Sequence, residues 1–276
     1  MFGKTLVSLP LLEIHVAHAC NLTCESCSHF SNNGHKGILS LEEFKAWCTP
    51  WTSKLAPKVF RMLGGEPTVN PQLGEIVLKA RALWPNSQLT ITTNGFYLHR
   101  HPHLADILGQ TRTSVRLTRH DNSPAYTEKW QKARNLLLDW KARRDFPFFE
   151  EISYERWTRR HKGYGAQVLP FADGNASASW QRCPARHCVQ LFEGKIWKCS
   201  PLAYLQLQKK HHSGISPAWD PYLAYRPLEM AASMNEISDF LSRTVEPFCG
   251  MCPANPERFQ KASPLIPVVD LLPVKV

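Results

Sequence analysis

The chain has 276 residues, of which 43% are hydrophobic and 20% charged, and its formal net charge at pH 7 is +10. This length and apolar content exclude a disordered or fibrous protein, and they suffice for one domain or for one large and one small domain. No apolar run approaches the roughly 18 residues that a membrane span needs. The N-terminus also lacks the small-residue cleavage site of a secretory signal. We therefore expect a cytoplasmic protein without a membrane partner.

Hydrophobic periodicity predicts alternating strands and helices along the first two-thirds of the chain. The predicted strands are 11–17, 58–63, 88–93 and 113–118, with weaker candidates at 150–154 and 166–170. The predicted helices are 71–83, 103–108, 126–142 and one that begins at Ser40, where Glu43 completes a capping box. This alternation indicates βα units and a parallel sheet, hence an α/β fold.

The cysteines are grouped, which favours metal binding by reduced thiols over a disulfide framework. Cys48 stands alone between the two groups, which are Cys20, Cys24, Cys27 and Cys183, Cys188, Cys199, Cys249, Cys252. The first group follows the first strand, Gly64-Gly65-Glu66-Pro67 follows the second, and Asn94 follows the third. In an α/β barrel the active site lies at the carboxyl ends of the strands, so the three segments are expected to meet at one rim.

Three clustered thiols suit an iron–sulfur cluster better than zinc. A structural zinc site closes with four ligands, and C-x3-C-x2-C supplies only three. A [4Fe-4S] cluster bound by three thiolates keeps one iron open for a small molecule.

These motifs resemble those of the radical S-adenosylmethionine (radical SAM) superfamily over about residues 10–170. The resemblance implies an incomplete (β/α)6 TIM-like barrel and a [4Fe-4S] cluster with an open iron site, bound by Cys20, Cys24 and Cys27. It implies S-adenosylmethionine as cofactor, reductive cleavage to a 5′-deoxyadenosyl radical, and hydrogen abstraction from a substrate. It also implies an external electron donor of the flavodoxin or ferredoxin type.

The resemblance assigns cofactor contacts to several residues. Gly64 and Gly65 let backbone carbonyls approach the ammonium group of the cofactor, next to Glu66 and Pro67. Asn94 is expected near the ribose, although a turn-forming Asn explains it equally well. Arg116 could bind the carboxylate of the cofactor, or be an exposed strand residue.

One position departs from the family pattern. The residue before the third cysteine is often aromatic in the family and holds adenine, whereas here it is Ser26. His29 or Phe30 could cover the adenine ring instead.

The second cysteine group resembles the twitch and SPASM auxiliary-cluster domains. In those domains a cysteine, a glycine, a second cysteine and a C-x2-C pair follow in order, which fits a single [4Fe-4S] cluster bound by Cys183, Cys199, Cys249 and Cys252. A hairpin around Glu193-Gly194 puts Cys188 across from Cys199. Cys188 is then a substitute ligand or a free thiol that donates a hydrogen atom, and a zinc knuckle is the alternative for the whole group.

We therefore predict a radical SAM barrel over residues 1–175 and a small twitch/SPASM-like domain over 176–276, with residues 200–245 as a crossing loop. The favoured function is oxidation or epimerisation of a small polar substrate such as a sugar or aminocyclitol, with the auxiliary cluster accepting an electron. Maturation of a ribosomally made peptide is the alternative. Its enzymes commonly carry a leader-binding domain before the barrel, whereas the first strand here begins near residue 11.

The positive charge allows a third hypothesis, a metal-stabilised protein that binds nucleic acid without catalysis. The densest basic cluster is R-W-T-R-R-H-K at 156–162, and such a patch could bind phosphates. The G-G-E-P segment argues against a non-catalytic protein, so nucleic acid is not the expected partner.

Overall fold

The computed structural model describes residues 6–258, and seven strands in this range form one open sheet in the order β5-β4-β3-β2-β1-β6-β7. The strands are β1 (Val7–Ala17), β2 (Leu55–Gly64), β3 (Gln88–Thr93), β4 (Ser114–Arg119), β5 (Phe148–Ile152), β6 (Val189–Phe192) and β7 (Lys195–Trp197). The helices are α1 (Leu41–Cys48), α2 (Leu73–Leu83), α3 (Leu104–Thr111), α4 (Pro124–Arg143), α5 (Ala176–Gln181), α6 (Ser200–His211), α7 (Asp220–Leu223) and α8 (Met234–Ser242). Across residues 6–258, every helix is too short or too polar to span a bilayer.

The sheet confirms the prediction of an incomplete α/β barrel. Strands β1 to β6 pair in parallel with their neighbours, and only β7 runs antiparallel, in a hairpin with β6. The predicted strand at 166–170 is wrong. Val168 is buried there but Leu169 is 41% exposed, after a short 3-10 turn. The sixth parallel strand is β6, which pairs with β1.

Local signals located the first elements well. Strand β3 has the predicted bounds, and α1 begins after Ser40 with both hydrogen bonds of the capping box. The predicted loop at 200–245 is wrong, because it contains α6, α7 and α8. A second capping box, Ser233 with Glu236, starts α8. The boundary at residue 175 stays a prediction, and β6, which follows it, belongs to the same sheet as β1.

Asn70 joins three segments below the carboxyl end of β1. Its side chain is completely buried, and its Nδ2 donates to the carbonyls of Val16 at 2.7 Å and Leu39 at 2.8 Å. Its Oδ1 accepts from the backbone N–H of Gln72 at 2.9 Å, next to the start of α2. Asn70 thus fixes where β1 ends, just before the cysteine loop.

We expect Asn70→Ala to lower the free energy of unfolding by about 2 to 4 kcal/mol, because buried carbonyls lose their donors. Urea denaturation followed by circular dichroism measures this change. Asn122→Ala is the control, since Asn122 is exposed and its replacement should cost less than about 0.5 kcal/mol. Equal stability of the two variants would contradict the role given to Asn70.

Candidate active site

The glycine turn after β2 lies directly against the backbone that leads into the cysteine loop. A Cβ on Gly64 would lie 2.1 Å from the carbonyl oxygen of Ala17, and one on Gly65 would lie 2.2 Å from that of Ala19. Hydrogen bonds close this contact: Gly65 N–H donates to Ala17 at 2.8 Å and Glu66 N–H to Ala19 at 2.9 Å. Only glycine fits at these two positions, and the contact sets the position of Cys20.

Glu66 joins the glycine turn to the end of β3. Its carboxylate is buried and accepts hydrogen bonds from the backbone N–H and hydroxyl of Thr68, from the hydroxyl of Thr93 and from the backbone N–H of Asn94. Burial raises the pKa of Glu66, and these donors act in the opposite direction. Asn94 in turn donates to the side chain of Asn21, in the cysteine loop, at 2.8 Å. The three predicted segments are therefore connected by hydrogen bonds.

A cavity of about 300 Å³, here called the strand-end cavity, lies at the carboxyl ends of β1 to β5. Of the nine residues predicted at this rim, all except Pro67 line the cavity: Cys20, Cys24, Cys27, Gly64, Gly65, Glu66, Asn94 and Arg116. Pro67 is buried in the turn behind Glu66. The convergence expected from the strand ends is therefore present in the fold.

The three thiols of the loop have the environment that a cluster needs. The pKa of Cys20 is raised by burial and then by its neighbour Cys24, as expected where thiolates are crowded. Backbone N–H groups of residues 29–32 point toward the sulfur of Cys27 and lower its pKa against burial. The N–H of Leu22 donates to Cys20 Sγ at 3.4 Å. Such N–H···S bonds stabilise thiolates, so the donor set fits an iron–sulfur cluster.

Arg116 lines the strand-end cavity and forms an ion pair there. Its Nη1 donates to Glu151 at 2.7 Å, while its Nε is buried without a hydrogen-bond partner among the described residues. Arg61, on β2, lines the same cavity and pairs with the buried Glu13 at 2.8 Å. Sequence reasoning missed Arg61, although a charged residue within an apolar strand was the available signal.

Ser26 has a structural explanation for its departure from the family pattern. Its Oγ accepts from the backbone N–H groups of Arg160 at 2.7 Å and His161 at 3.0 Å, so it fixes the basic segment against the cysteine loop. Phe30 is buried and stacks on His161 with ring centroids 5.0 Å apart, away from the strand-end cavity. His29 lines that cavity. Of the two residues proposed to cover adenine, His29 lines the strand-end cavity and Phe30 does not, and the adenine contact itself stays a prediction.

A second cavity of about 300 Å³, the tail cavity, lies between the cysteine loop and the C-terminal segment. Cys24 and Cys27 line it on one side, and on the other side lie Cys183, Cys199, Cys249 and Cys252. Burial and then Cys252 raise the pKa of Cys199, and burial and then Cys183 raise that of Cys252 to about 12. Within residues 6–258, no three side chains converge on the position of a single metal ion.

Cys188 is placed differently from these four thiols. The hairpin register is the predicted one, with Gln190 opposite Trp197. The thiol of Cys188 lies beside Glu13, and burial followed by that carboxylate raises its pKa. Gln190 also donates to Glu13, at 2.6 Å.

His120 is a further residue that sequence reasoning missed. It follows β4, lines both cavities, and its Nδ1 lies 3.8 Å from Cys24 Sγ. Burial lowers its pKa to about 4, so the ring is neutral at pH 7. Its position directly after a strand was the available signal.

An open parallel barrel with three thiols and a glycine turn at its strand ends defines a cluster-binding α/β barrel. Residues 14–133 match the model of the Radical SAM superfamily. This match covers less than half of the chain, so it shows similarity of residues 14–133 to the Radical SAM superfamily. That similarity implies a [4Fe-4S] cluster and S-adenosylmethionine.

Individual relatives match this chain over only part of their length. The chain is 28% identical over 194 residues to a GTP 3′,8-cyclase of Mycolicibacterium smegmatis, which covers 62% of this chain and 52% of the relative. It is 32% identical over 120 residues to a probable GTP 3′,8-cyclase of Saccharolobus solfataricus, and the match covers 42% of this chain and 36% of that relative. The chain thus spans about half the length of the first relative. The solved structure of BtrN in complex with AdoMet and 2-DOIA has the same fold, with a TM-score of 0.54, 15% identity, and coverage of 93% of this chain and 99% of BtrN.

We expect Glu66→Gln to lower the melting temperature of the cofactor-free protein, because the new amide presents a donor where the carboxylate accepted one from Asn94. It should also weaken S-adenosylmethionine binding by roughly 10- to 150-fold. Calorimetry measures both. Glu75→Gln, on the exposed face of α2, is the control. Unchanged melting and affinity relative to that control would remove Glu66 from the site.

Proposed function

We propose that this chain reductively cleaves S-adenosylmethionine and uses the radical to abstract hydrogen from a small polar substrate, for oxidation or epimerisation. The observation that carries the proposal is the tail cavity, which has thiols of the radical-cluster loop on one side and four tail thiols on the other. When bound and reduced, the cluster at Cys20, Cys24 and Cys27 supplies the electron that releases the 5′-deoxyadenosyl radical. A substrate in this cavity lies between the two groups of thiols.

The residues of the strand-end cavity hold and orient the cofactor in this proposal. The backbone of Gly64 and Gly65 receives the ammonium group, and Glu66 contributes negative charge behind it. Arg116, whose Nε has no hydrogen-bond partner among the described residues, binds the carboxylate, and Asn94 lies at the ribose. Pro67 keeps the turn rigid.

The tail thiols hold the auxiliary [4Fe-4S] cluster in this proposal. Four thiolates, from Cys183, Cys199, Cys249 and Cys252, leave no iron open to substrate, so this cluster is suited to electron transfer. It accepts the electron that remains after hydrogen abstraction in a two-electron oxidation. In an epimerisation a thiol must return a hydrogen atom, and Cys188 is the candidate because the other four tail thiols are assigned to the cluster.

The substrate class rests on size and on the relatives. A cavity of about 300 Å³ is at the lower end of ligand pockets, which favours a small molecule over a peptide. The relatives named above are GTP 3′,8-cyclases, and BtrN was solved with 2-DOIA, so both point to small polar molecules. Peptide maturation remains the alternative proposal. An external flavodoxin- or ferredoxin-type donor and a cytoplasmic location fit the requirement for reduced thiols.

We expect replacement of Cys20, Cys24 and Cys27 by Ala to leave a protein with about four fewer irons. It should form no 5′-deoxyadenosine with dithionite and S-adenosylmethionine, because the thiols of this rim have been removed. Iron analysis and chromatography of the products measure the two effects. Cys48→Ala is the control, since Cys48 is buried in the core. Undiminished 5′-deoxyadenosine in the triple variant would refute the radical assignment.

We expect Cys183→Ala to lose absorbance of the auxiliary cluster, whereas Cys188→Ala keeps its full iron content. Both should still cleave S-adenosylmethionine, because the first cluster is intact. Iron and zinc analysis of anaerobically purified protein measures the difference. Zinc in place of iron at the tail cysteines would support the alternative of a zinc knuckle. Loss of iron in Cys188→Ala with full iron in Cys183→Ala would exchange the two roles.

A further inference from the structure

The tail cavity has an excess of positive charge. Four cationic side chains line it, Arg156, Arg160, Arg186 and Lys198, against two carboxylates, Glu25 and Glu246. Both carboxylates already have cationic neighbours, because Glu25 lies 3.1 Å from Arg159 Nε and Glu246 lies 3.6 Å from Arg243 Nη1. Four cations against two carboxylates leave the lining with an excess of positive charge, even though Glu246 also lies near Lys198.

The backbone at Arg160 is held against the cysteine loop. Its backbone N–H donates to Ser26 Oγ at 2.7 Å, and the next residue, His161, stacks on Phe30. These contacts join the basic segment, residues 156–162, to the cysteine loop that contains Cys20, Cys24 and Cys27. Arg160 also lines the tail cavity together with Cys199 and Cys252 of the tail.

The guanidinium of Arg160 lacks partners for its donors. Nη1 and Nη2 are both buried, and neither has a hydrogen-bond acceptor among residues 6–258. Arginine stays protonated, so the group cannot escape the cost of burial by losing its charge. Buried charged donors without acceptors are strongly unfavourable unless an anion supplies them. A guanidinium fork fits carboxylate and phosphate oxygens.

We propose that the tail cavity binds an anionic group of the substrate, a phosphate or a carboxylate, with Arg160 as the principal contact. Arg186 and Lys198 add positive charge from the tail, and Arg156 adds it from the basic segment. This inference rests on the proposed function, because it places the substrate in the cavity between the two groups of thiols. It narrows the substrate class to small anionic molecules.

The test uses the anaerobically reconstituted holoenzyme and two probes, inorganic phosphate and malonate, titrated by calorimetry at constant ionic strength. We expect Arg160→Gln to weaken binding of the preferred probe by about tenfold or more, because the fork supplies charge-assisted hydrogen bonds. Arg160→Lys keeps the charge but lacks the planar guanidinium fork. Its affinity for the probe should lie between those of the wild type and Arg160→Gln. The preferred probe shows whether the anion is a phosphate or a carboxylate.

The control is Arg112→Gln, which removes the same charge from an exposed residue before β4, at the opposite ends of the strands. It should bind both probes like the wild type. If Arg160→Gln does not fold, Arg186→Gln provides a second measurement. Arg186 is exposed and lies over Trp180, and its loss should weaken binding several-fold without leaving a buried void.

Two results overturn the proposal: no binding of either probe by the wild type, or equal affinity of Arg160→Gln and Arg112→Gln. In the second case, a changed electron paramagnetic resonance spectrum of the auxiliary cluster would assign the guanidinium to Cys252. Formation of 5′-deoxyadenosine is measured on the same samples. Its absence in the wild type refutes the proposed function, whereas its presence with unchanged anion affinity refutes this inference alone.

Discussion

The close contact between the glycine turn and the backbone before Cys20 is the constraint on which the site depends. Side chains at Gly64 and Gly65 would overlap the carbonyl oxygens of Ala17 and Ala19. Because β1 and β2 pair in parallel up to this point, the contact fixes the cysteine loop relative to the sheet. Glu66 then extends the connection to β3 through Asn94. Three loops that are far apart in sequence are thereby held at one rim before any cofactor binds, and preorganisation of this kind lowers the cost of binding.

The second connection runs from the cysteine loop to the tail, and Ser26 and Arg160 make it. A serine replaces the aromatic residue that the family often has, and its hydroxyl fixes the basic segment. The same segment borders the tail cavity, so the residue that departs from the family pattern also shapes the space where we propose the substrate binds. Ser26 thus connects the cysteine loop to the charged wall of the tail cavity.

The sequence predicted those features that depend on neighbouring residues. Apolar runs located β1 to β4, the weaker candidate at 150–154 overlaps β5, and Ser40 with Glu43 located α1. The pairing of β6 with β1 was missed, because a short apolar strand carries no signal for the sheet edge that it joins. Helix α6 was also missed, since its apolar residues spread around the helix rather than forming one stripe. In the site, motifs indicated the thiols and glycines. Arg61, His120 and the buried donors of Arg160 depend on tertiary contacts that local patterns do not encode.

We propose that one chain holds two clusters with different ligand sets, only one of which has an open iron. Mössbauer spectroscopy of the wild-type protein, reconstituted anaerobically with iron-57, tests it most directly. We predict about eight irons in two [4Fe-4S] clusters, and a change at about one iron when S-adenosylmethionine is added. A single cluster, or spectra that S-adenosylmethionine leaves unchanged, would contradict the account.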